Sequence, residues 1–536
     1  MLQISQLRLP VEHTDADLRH AAAEWLKVKP DMLLSLTVKQ RAIDARKRSE
    51  VLFCYTLLVE LVDEAGVLNR EEKPAHVEIA PDERYLELDK IFESNEARHV
   101  KPTTVIVGTG PCGLFCGLML ARQGYKPILL ERGKAAGPRA RDVTGFWRRG
   151  WDFDPNSNVQ YGEGGAGTFS DGKLYTQIRD REHRIPWLLK ELVRAGAPED
   201  ILVKSRPHIG TDRLIKVVRT IREEIIALGG EVRFETRVAD VVIENSTLTA
   251  IITDRGDVIE ADRFVFAIGH SSRDTFEALH RRGVHFEAKP FSVGVRIEHP
   301  QLMVDQSQFG KWAGHAKLGA AAYKFVAHTK KKRAAYSFCM CPGGLVVAAS
   351  SEPGTVVTNG MSSYARSEAN ANAGFMVDVR PEDFATENVL GGIAFQRALE
   401  KKAFVLGGEN YHAPAQLLGD FMAKRASTGP GKVLPSYEPG VKWTDLREIL
   451  PDFVADTLRE AVPMIDRSLR GFHFEDAILT GVETRSSSPI RITRDPETLE
   501  SINTKHFFPA GEGAGYAGGI ISAAVDGMKV AEALMR

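Results

Sequence analysis

The residues best suited to chemistry lie in glycine-rich turns, and the first turn follows a short apolar run at 104–107. Gly108 permits a tight turn, Gly110 lets the backbone approach a pyrophosphate, and Gly113 lets the next helix pack closely on the strand. The positive end of that helix would then face the phosphates. This pattern predicts a dinucleotide-binding turn.

A carboxylate stands where a ribose contact is expected. Glu131, followed by Arg132, comes at the end of a second apolar run, 128–130. An acid at that place accepts hydrogen bonds from ribose hydroxyls. A glycine turn without a ligand would explain the first motif alone, but the strand, the helix and the acid together favour a dinucleotide site.

A second glycine turn lies near the end of the sequence, at Gly511, Glu512 and Gly513, and is followed by a predicted helix at 518–535. A domain that binds only NAD has no use for this turn, whereas flavoproteins of the glutathione-reductase type are similar here. The two turns together therefore indicate FAD, and the helix start would stabilise a negatively charged reduced flavin. An ordinary strand, turn and helix in a parallel sheet is the alternative.

The glycine-rich loop at 162–173 is a third candidate. Its glycines exclude a regular helix, and its backbone could lie flat against a planar ring. We expect it to line the flavin, with Glu163 and Lys173 as candidate catalytic residues and Lys173 near developing negative charge. A tight surface loop with solvated charges is the alternative.

These motifs need elements that position them, and the hydrophobic pattern predicts an α/β chain. Residues 101–288 and 471–536 are the expected two parts of one FAD-binding Rossmann domain of the glutathione-reductase type. A buried strand ending at the turn of Gly269 belongs to its first part. Residues 289–470 are expected to form an inserted α+β cap that holds the substrate.

An N-terminal module comes before the Rossmann domain. Residues 1–95 begin with a strand, a helix and two strands, which predicts a ferredoxin-like α+β module with a linker to residue 100. From residue 64 the sequence is charged and is expected to be irregular.

The bend between the second and third strands of this module is basic. Such a strip could contact RNA or an acidic protein, but a solvated hairpin is the better explanation, so nucleic acid is not an expected partner. The basic residues are Lys39, Arg41, Arg46, Lys47 and Arg48.

Together, the motifs resemble those of the poorly characterised family of FAD-dependent dehydrogenases, also called NAD(FAD)-utilising dehydrogenases. The resemblance spans nearly the whole chain and implies FAD binding and oxidoreductase activity, without a substrate. The segments that carry it are 38–47, 108–113, 162–173, 341–344, 358–362, 481–486 and 511–519.

The residues expected to contact the FAD lie in the two turns, in the glycine loop and beside them. They are Gly108, Gly110, Pro111, Cys112, Gly113, Glu131, Arg132, Gly165, Ala166, Gly167, Thr168, Gly269, Gly511, Glu512, Gly513, Gly518, Gly519 and Ile520. We expect the FAD to be bound without a covalent link.

Two further groups could take part in the reaction. Arg485 could bind an anionic substrate or the flavin edge, and a structural ion pair explains it equally well. Cys339 and Cys341 would lie on one side of an extended strand and could form a redox pair, although small buried cysteines are commoner. Cys112 and Cys116 are interpreted as packing residues.

Composition excludes several other functions. The 70 Lys and Arg residues balance 71 Asp and Glu residues, so no bulk attraction to nucleic acid or to an anionic membrane is expected. Five scattered cysteines do not suggest a disulfide framework and favour a cytoplasmic location. There is no apolar run long enough for a membrane helix, no signal peptide and no histidine spacing typical of a metal site.

The predicted function is that of an FAD-dependent oxidoreductase, a dehydrogenase or reductase. Hydride or electrons would pass through flavin N5 to or from a small molecule held between the ring and the cap. A second dinucleotide motif is missing, so NADH or NADPH would bind transiently, or a protein would donate electrons. A flavoprotein that modifies RNA and a flavin-bearing sensor or assembly factor without enzymatic activity remain alternatives.

Overall fold

The computed structural model describes residues 1–86, 88, 90–91, 101–384 and 388–536. The predicted linker between residues 95 and 100 lies outside the described residues.

The N-terminal module is a four-stranded antiparallel sheet with the strand order β2-β3-β1-β4. The expectation of an irregular stretch from residue 64 is wrong, because Asp63 accepts a hydrogen bond from the Gly66 amide at 2.8 Å and starts a helix, and a fourth strand follows. The elements are β1 (Leu2–Pro10), α1 (Asp15–Trp25), β2 (Leu33–Asp44), β3 (Leu52–Leu61), α2 (Glu64–Leu68) and β4 (Val77–Ile79).

Part of the basic strip of this module is paired with acids. Lys39 lies 2.7 Å from Glu83, and Arg46 lies 2.6 Å from Asp44. These pairs reduce the positive charge that the strip offers to a partner. Contact with RNA or with an acidic protein stays a prediction.

A five-stranded parallel sheet with the order β23-β11-β5-β6-β7 forms the core of the next domain. The three central strands β11, β5 and β6 consist mainly of Val, Ile, Leu and Phe, as expected of a parallel sheet covered on both faces. The elements of the first part are β5 (Thr104–Val107), α3 (Pro111–Arg122), β6 (Ile128–Leu130), α4 (Ala136–Arg149), α5 (Arg184–Arg194), α6 (Thr211–Ala227), β7 (Glu231–Arg233), β8 (Val238–Glu244), β9 (Thr247–Thr253), β10 (Val258–Glu260), β11 (Arg263–Phe266), α7 (Arg273–Arg281) and β12 (Phe286–Ala288). The chain returns to this domain with β22 (Ile490–Ile492), β23 (Phe507–Pro509) and α12 (Ile520–Met535).

The order of these strands fixes where a ligand can bind. From β5 the chain moves to one side, through β6 and β7, and later returns on the other side of β5 as β11. In open sheets of this kind the crevice lies at the carboxyl ends of the strands where the order reverses. The ends of β5 and β11 are therefore the place to look for a site.

Helices α3 and α12 pack so closely that Gly527 has no room for a side chain. A Cβ there would overlap the carbonyl oxygen of Cys112. Cys112 also lies beside Gly511, whose Cβ would be 3.1 Å from that of Cys112. Cys112 and Cys116 are both buried. The close packing of the two helices explains why small residues stand at these positions.

We expect Gly527→Ala to destabilise the protein by about 1–3 kcal/mol, because the new methyl group would meet backbone atoms that cannot move freely. Gly137→Ala is the matched control, since a Cβ there meets nothing within 4 Å and alanine favours the helix by about 0.5–1 kcal/mol. Urea unfolding measures both variants. Equal stability of the two proteins would contradict the close packing.

The inserted domain is built on a seven-stranded sheet with the order β14-β15-β18-β13-β21-β19-β20. β21 lies beyond residue 470, so this sheet continues past the boundary suggested by the sequence. The elements are β13 (Phe291–Pro300), α8 (Gln301–Phe309), β14 (Val326–His328), β15 (Ala334–Cys341), β16 (Leu345–Ala348), β17 (Thr358–Met361), β18 (Asn370–Val379), α9 (Gly391–Gly407), β19 (Ala413–Leu417), α10 (Leu418–Met422), β20 (Val441–Trp443), α11 (Asp452–Asp466) and β21 (Ile478–Glu483).

This sheet has one apolar and one polar face, and both are buried. In β13, Val293, Val295 and Ile297 are fully buried on the apolar face, where each contributes about 1.5–3 kcal/mol of hydrophobic stabilisation. The alternate residues Arg296 and Glu298 are also fully buried. Because side chains alternate along a strand, these charges share the second face, and the sheet needs partners for them there.

Candidate functional site

Three glycines follow three neighbouring strands of the parallel sheet at its carboxyl edge. Gly108 follows β5, Gly269 comes after β11, and Gly511 comes after β23. Their φ values are 102°, 68° and 72°, which residues with a Cβ rarely adopt. The sequence-predicted turns therefore meet at the point where the strand order reverses.

Some of the predicted glycines cannot be replaced, because the backbone of a neighbouring segment occupies the space that a side chain would need. A Cβ on Gly108 would overlap the carbonyl oxygen of Ala267, and one on Gly113 would overlap that of Gly108. A Cβ on Gly513 would lie 2.5 Å from the carbonyl oxygen of Gly269. These close approaches join the strand ends into a continuous floor.

Other glycines face open space. A Cβ on Gly269, Gly518 or Gly519 would have no heavy atom within 4 Å. One on Gly110 would lie 3.9 Å from the Cα of Gly165. These positions leave bare backbone above the floor, and bare backbone allows a ligand to approach amide groups closely.

Two long helices begin at this surface, and neither has a side-chain cap. Gly110 precedes α3, with Pro111 at the first helical position, and Gly519 precedes α12, which begins at Ile520. The first amide groups of a helix lack partners within the helix, and the helix dipole makes this end positive. Both starts therefore suit an anionic group such as a pyrophosphate.

The carboxylate of Glu131 holds these turns together by accepting four hydrogen bonds. Its Oε2 accepts hydrogen bonds from the amide of Thr109 at 3.0 Å and from its hydroxyl at 2.8 Å. Its Oε1 accepts from the amides of Gly133 and Gly162, both at 2.9 Å. A carboxylate has about four acceptor positions, so a ribose contact of the predicted kind would have to displace a protein donor.

Two more of the predicted contacts have partners within the protein. Arg132 pairs with Asp274 at 3.0 Å, and its guanidinium carbon lies 4.0 Å from the centre of the Tyr161 ring. Glu512 lies 3.3 Å from His270, the residue after the turn of β11. Both pairs connect the edge of the floor to the first residues after β11.

The glycine loop packs onto both helix starts. A Cβ on Gly165 would lie 3.1 Å from the Cα of Gly110, and one on Gly167 would lie 3.2 Å from Cγ1 of Ile520. The loop therefore borders the same surface as the two turns. The predicted contacts Gly165, Ala166, Gly167 and Thr168 all lie in one short 3-10 helix, Gly165–Phe169.

Arg139 holds this loop in place and was missed by sequence reasoning. The side chain is fully buried, and burial lowers its pKa to about 10 although Glu131 and Glu163 act in the opposite direction. Its guanidinium group donates only to backbone carbonyl oxygens, at 2.7–3.2 Å, and the acceptors belong to Asn158, Val159, Gly162, Glu163 and Gly165.

We expect Arg139→Met to lower the free energy of unfolding by about 3–5 kcal/mol, because the buried carbonyl oxygens would lose their donors. Arg141→Met, at an exposed position of the same helix, should stay within about 0.5 kcal/mol of the parent. Urea unfolding provides the values, and limited proteolysis should show cleavage in the glycine loop of the first variant alone. Parental stability of Arg139→Met would exclude this organising role.

Glu163 points below the loop, to the start of α4. Its Oε2 accepts from the amide of Ala136 at 2.7 Å and lies 3.2 Å from Nη1 of Arg222. Burial raises the pKa of this carboxyl group, and the Ala136 amide and Arg222 partly offset the effect. Its Oε1 is buried and has no hydrogen-bond partner. These contacts hold the loop, and a catalytic role for Glu163 stays a prediction.

Lys173 lies in a cluster of charges between the two large domains. Its Nζ is 3.1 Å from Asp171, which also pairs with Arg366 at 2.5 Å. Burial alone would raise the pKa of Asp171, but Lys173 and Arg366 outweigh it and hold that pKa well below its usual range. The lysine is thus kept charged at the end of the glycine loop.

The polar face of the seven-stranded sheet lies against this cluster. The Nζ of Lys173 is 4.0 Å from Sγ of Cys341, and Nη2 of Arg296 is 3.7 Å from the same sulfur. Arg296 also pairs with Glu483 at 3.1 Å. A Cβ on Gly360, in β17, would overlap the Arg296 guanidinium group, so the β16–β17 hairpin covers this part of the face. The sequence did not show that Arg296 and Lys173 would meet.

The depressed pKa of Asp171 predicts a specific dependence on pH. Asp171→Asn should lower stability at neutral pH, because Lys173 and Arg366 would lose their shared anion. A carboxylate of low native pKa stabilises the fold above its unfolded pKa of about 4 and stops doing so as pH falls through its native value. The stability gap should therefore narrow below about pH 4.

Urea midpoints of parent and variant at neutral pH and at about pH 3 measure this gap. The exposed Asp152 supplies the control, since Asp152→Asn should match the parent at both values. If the stability difference between the parent and Asp171→Asn were the same at about pH 3 as at neutral pH, the low pKa of Asp171 would be refuted.

Arg485 lies in a separate buried ion cluster. Its Nε is 2.9 Å from Oε1 of Glu400, its Nη1 donates to the Ser351 hydroxyl at 2.8 Å, and Arg273 lies 2.8 Å from the same carboxyl group. Burial would raise the pKa of Glu400, but the two arginines hold it far below its usual range. The structure thus favours the structural ion pair over the predicted substrate or flavin contact.

Two searches cover the described part of the chain. No group of three or more His, Cys, Asp and Glu side chains is arranged there to hold a metal ion. No helix in the same residues combines the length and the apolar character needed to cross a bilayer.

Comparison with known families finds a match for the inserted domain. Residues 290–486 match the family model described as "FAD-dependent protein, C-terminal domain-like", which agrees with the extent of the seven-stranded sheet. Residues 1–60 match a domain of unknown function.

The whole chain has a full-length relative. It is 46% identical over 532 residues to an uncharacterised protein of Clostridium beijerinckii, covering 99% of this chain and 98% of that protein. The chain therefore belongs to the same family as the clostridial protein.

Solved structures of flavoproteins show only distant similarity. CtdE in complex with FAD is 12% identical, with a TM-score of 0.29 over 81% of this chain and 82% of CtdE. The L-proline dehydrogenase of P. horikoshii is 11% identical, with a TM-score of 0.33 over 81% of this chain and 92% of that one. Similarity at this level adds nothing to the description of the site.

Proposed function

We propose that this protein binds FAD non-covalently and is an oxidoreductase that acts on a small molecule. The observation that carries the proposal is the meeting of two uncapped helix starts, at Gly110 and Gly519, over a floor of glycine turns. A pyrophosphate at the start of α3 would receive amide donors and the positive end of that helix, while the positive end of α12 would face the flavin ring. The family model matched by the inserted domain supports the same cofactor.

The residues present fit the cofactor in their chemistry. Open backbone at Gly269 and Gly518 provides close approach, and Glu512 stands at the second turn as an acceptor for hydroxyl groups. The glycine loop borders the same surface and would line the ring. FAD, when bound, supplies hydride or electron transfer that amino-acid side chains cannot perform.

The reaction site would lie between the end of the glycine loop and the polar face of the inserted sheet. Lys173 is 16% exposed, is held by Asp171, and so can present an ammonium group to developing negative charge. Arg296 lies behind the site, fully buried beneath the β16–β17 hairpin. The electron donor, a nicotinamide or a protein, is not specified by these residues.

The finer fold assignments are part of the same proposal. The parallel sheet with an inserted antiparallel meander, β8 to β10, supports a glutathione-reductase-type FAD domain. The order β2-β3-β1-β4 places β3 between β1 and β2, and this split arrangement supports a ferredoxin-like N-terminal module.

The purified protein should show the absorption bands of an oxidised flavin, and acid should release FAD in a ratio of about one per chain. Gly110→Val should weaken FAD binding by about tenfold or more while the chain stays folded, because its side chain would enter the open surface and displace about 1.4 kcal/mol or more of phosphate contacts.

Gly429→Val is the matched control, since a Cβ there meets nothing within 4 Å and the residue lies in the inserted domain. It should bind FAD as the parent does. A parent protein that binds no added FAD in fluorescence titration, or a Gly110→Val variant of parental affinity, would disprove the proposed site.

A further inference from the structure

Two thiols lie at the seam between the domains, that of Cys341 buried and that of Cys339 partly exposed. Cys339 and Cys341 are in β15, and the pairing of β15 with β18 shifts between Phe338 and Cys341, so the strand bulges at the two cysteines. The Sγ of Cys341 donates to the carbonyl oxygen of Cys339 at 3.2 Å. The bulge thus folds the second cysteine back toward the first.

The backbone at Cys339 is unusual for a residue with a side chain. Its φ is 42°, in the left-handed region where glycine is strongly favoured. The pattern of strand pairing could be kept with glycine at lower conformational cost. A cysteine at this position suggests that the thiol has a use of its own.

Two cations lie beside the sulfur of Cys341, and one of them also holds the backbone of Cys339. Nζ of Lys173 and Nη2 of Arg296 lie 4.0 Å and 3.7 Å from Sγ of Cys341, and Nη2 of Arg296 donates to the carbonyl oxygen of Cys339 at 3.1 Å. Both cysteines also act on the pKa of Lys173 and of Arg296. Two buried cations give no advantage to a neutral packing thiol, but they stabilise a thiolate.

An unused donor points to the same place. Asn372 is directly opposite Cys341 in the strand pair and is fully buried. Its Oδ1 accepts from Arg296, at 2.5 Å from Nη2, while its Nδ2 has no partner. A free amide donor beside the sulfur could stabilise negative charge on a thiolate or on a bound reactant.

The second cysteine pair of the chain provides the contrast. Cys112 and Cys116 lie one helical turn apart in α3, and burial raises the pKa of both thiols, with Asp526 acting in the same direction. The pKa of Cys341 is raised to about 11, because burial outweighs Lys173 and Arg296, which both act to lower it. Two cations therefore lie within 4.0 Å of the Cys341 sulfur, whereas the effect on Cys112 of its one nearby cation, Arg494, is opposed by both burial and Asp526.

We propose that Cys339 and Cys341 form a reversible redox pair that exchanges electrons at the seam between the glycine loop and the inserted domain. On oxidation two S–H bonds break, one S–S bond forms, and two electrons and two protons leave. The acceptor is the FAD of the proposed function, on which this role in the protein rests, or a small disulfide such as oxidised glutathione in a test tube.

The first experiment needs no flavin. The protein is equilibrated with oxidised glutathione, denatured in an alkylating reagent and cleaved with trypsin. Arg333 and Arg366 flank a peptide whose cysteines are Cys339 and Cys341. This peptide should carry no alkyl group and weigh two hydrogens less than its reduced form, whereas Cys112 and Cys116 should be alkylated.

Two results of this experiment would overturn the pair. One is alkylation of both Cys339 and Cys341 under oxidising conditions, and the other is glutathione attached to either cysteine without an internal bond. Lys173→Met should slow formation of the internal bond by about tenfold because the thiolate loses a neighbouring cation. The exposed Lys505 supplies a control, Lys505→Met, that should not change the rate.

The second experiment tests the link to FAD. Anaerobic titration of the oxidised, FAD-loaded protein with dithionite should consume about four electrons per flavin, and about two in Cys339→Ser and in Cys341→Ser. Cys54→Ser, in the N-terminal module, should keep the parental value. Two electrons in the parent would overturn electron exchange with the flavin, while a chain that takes up no FAD would refute the proposed function and leave the glutathione result standing.

Discussion

The buried carboxylate of Glu131 is the contact on which the rest of the site depends. It receives amide and hydroxyl hydrogen bonds from the first glycine turn, from its own turn and from the glycine loop. Three glycine-containing segments are thereby held by one residue. The nearby charge of Arg139 balances this carboxylate and fixes the other side of the loop through backbone carbonyl groups. Without these two buried charges the floor would have no fixed shape.

Buried charges also join the parallel-sheet domain to the inserted domain. The inserted sheet buries a polar face, and that face cannot meet an apolar surface without leaving Arg296 and Glu483 unpaired. The glycine loop presents Lys173 and Asp171 instead, and the connection between β17 and β18 contributes Arg366 to Asp171. A second cluster, around Glu400 and two arginines, joins the domains elsewhere. The charged groups proposed to act in the reaction therefore lie next to those that hold the two domains together.

Sequence reasoning found the parts of the site that depend on local backbone. The turns at Gly108 and Gly511 could be predicted because a short apolar strand, a glycine and a helix leave few other structures. The same reasoning placed Glu131 correctly at the strand end but assigned its hydrogen bonds to a ribose, since the approach of the glycine loop depends on the tertiary fold. It also missed the fourth strand of the N-terminal module, because Val77–Ile79 is too short for its alternation to be recognised.

Long-range pairs could not be predicted from one sequence. Nothing near Arg139 distinguishes it from the exposed arginine two residues later, and only the folded loop supplies its acceptors. Arg296 and Lys173 are far apart in sequence, and the sheet register decides that both reach Cys341. For Arg485 the sequence left two roles open, and the position of Glu400 in a distant helix favours the structural one.

The most direct test of this account is a crystal structure of the protein with FAD bound. The account predicts the pyrophosphate at the start of α3, beside Gly110, with the ring beside the start of α12 and the glycine loop and facing Lys173. A pyrophosphate elsewhere, or a ring directed away from the seam between the two domains, would contradict it.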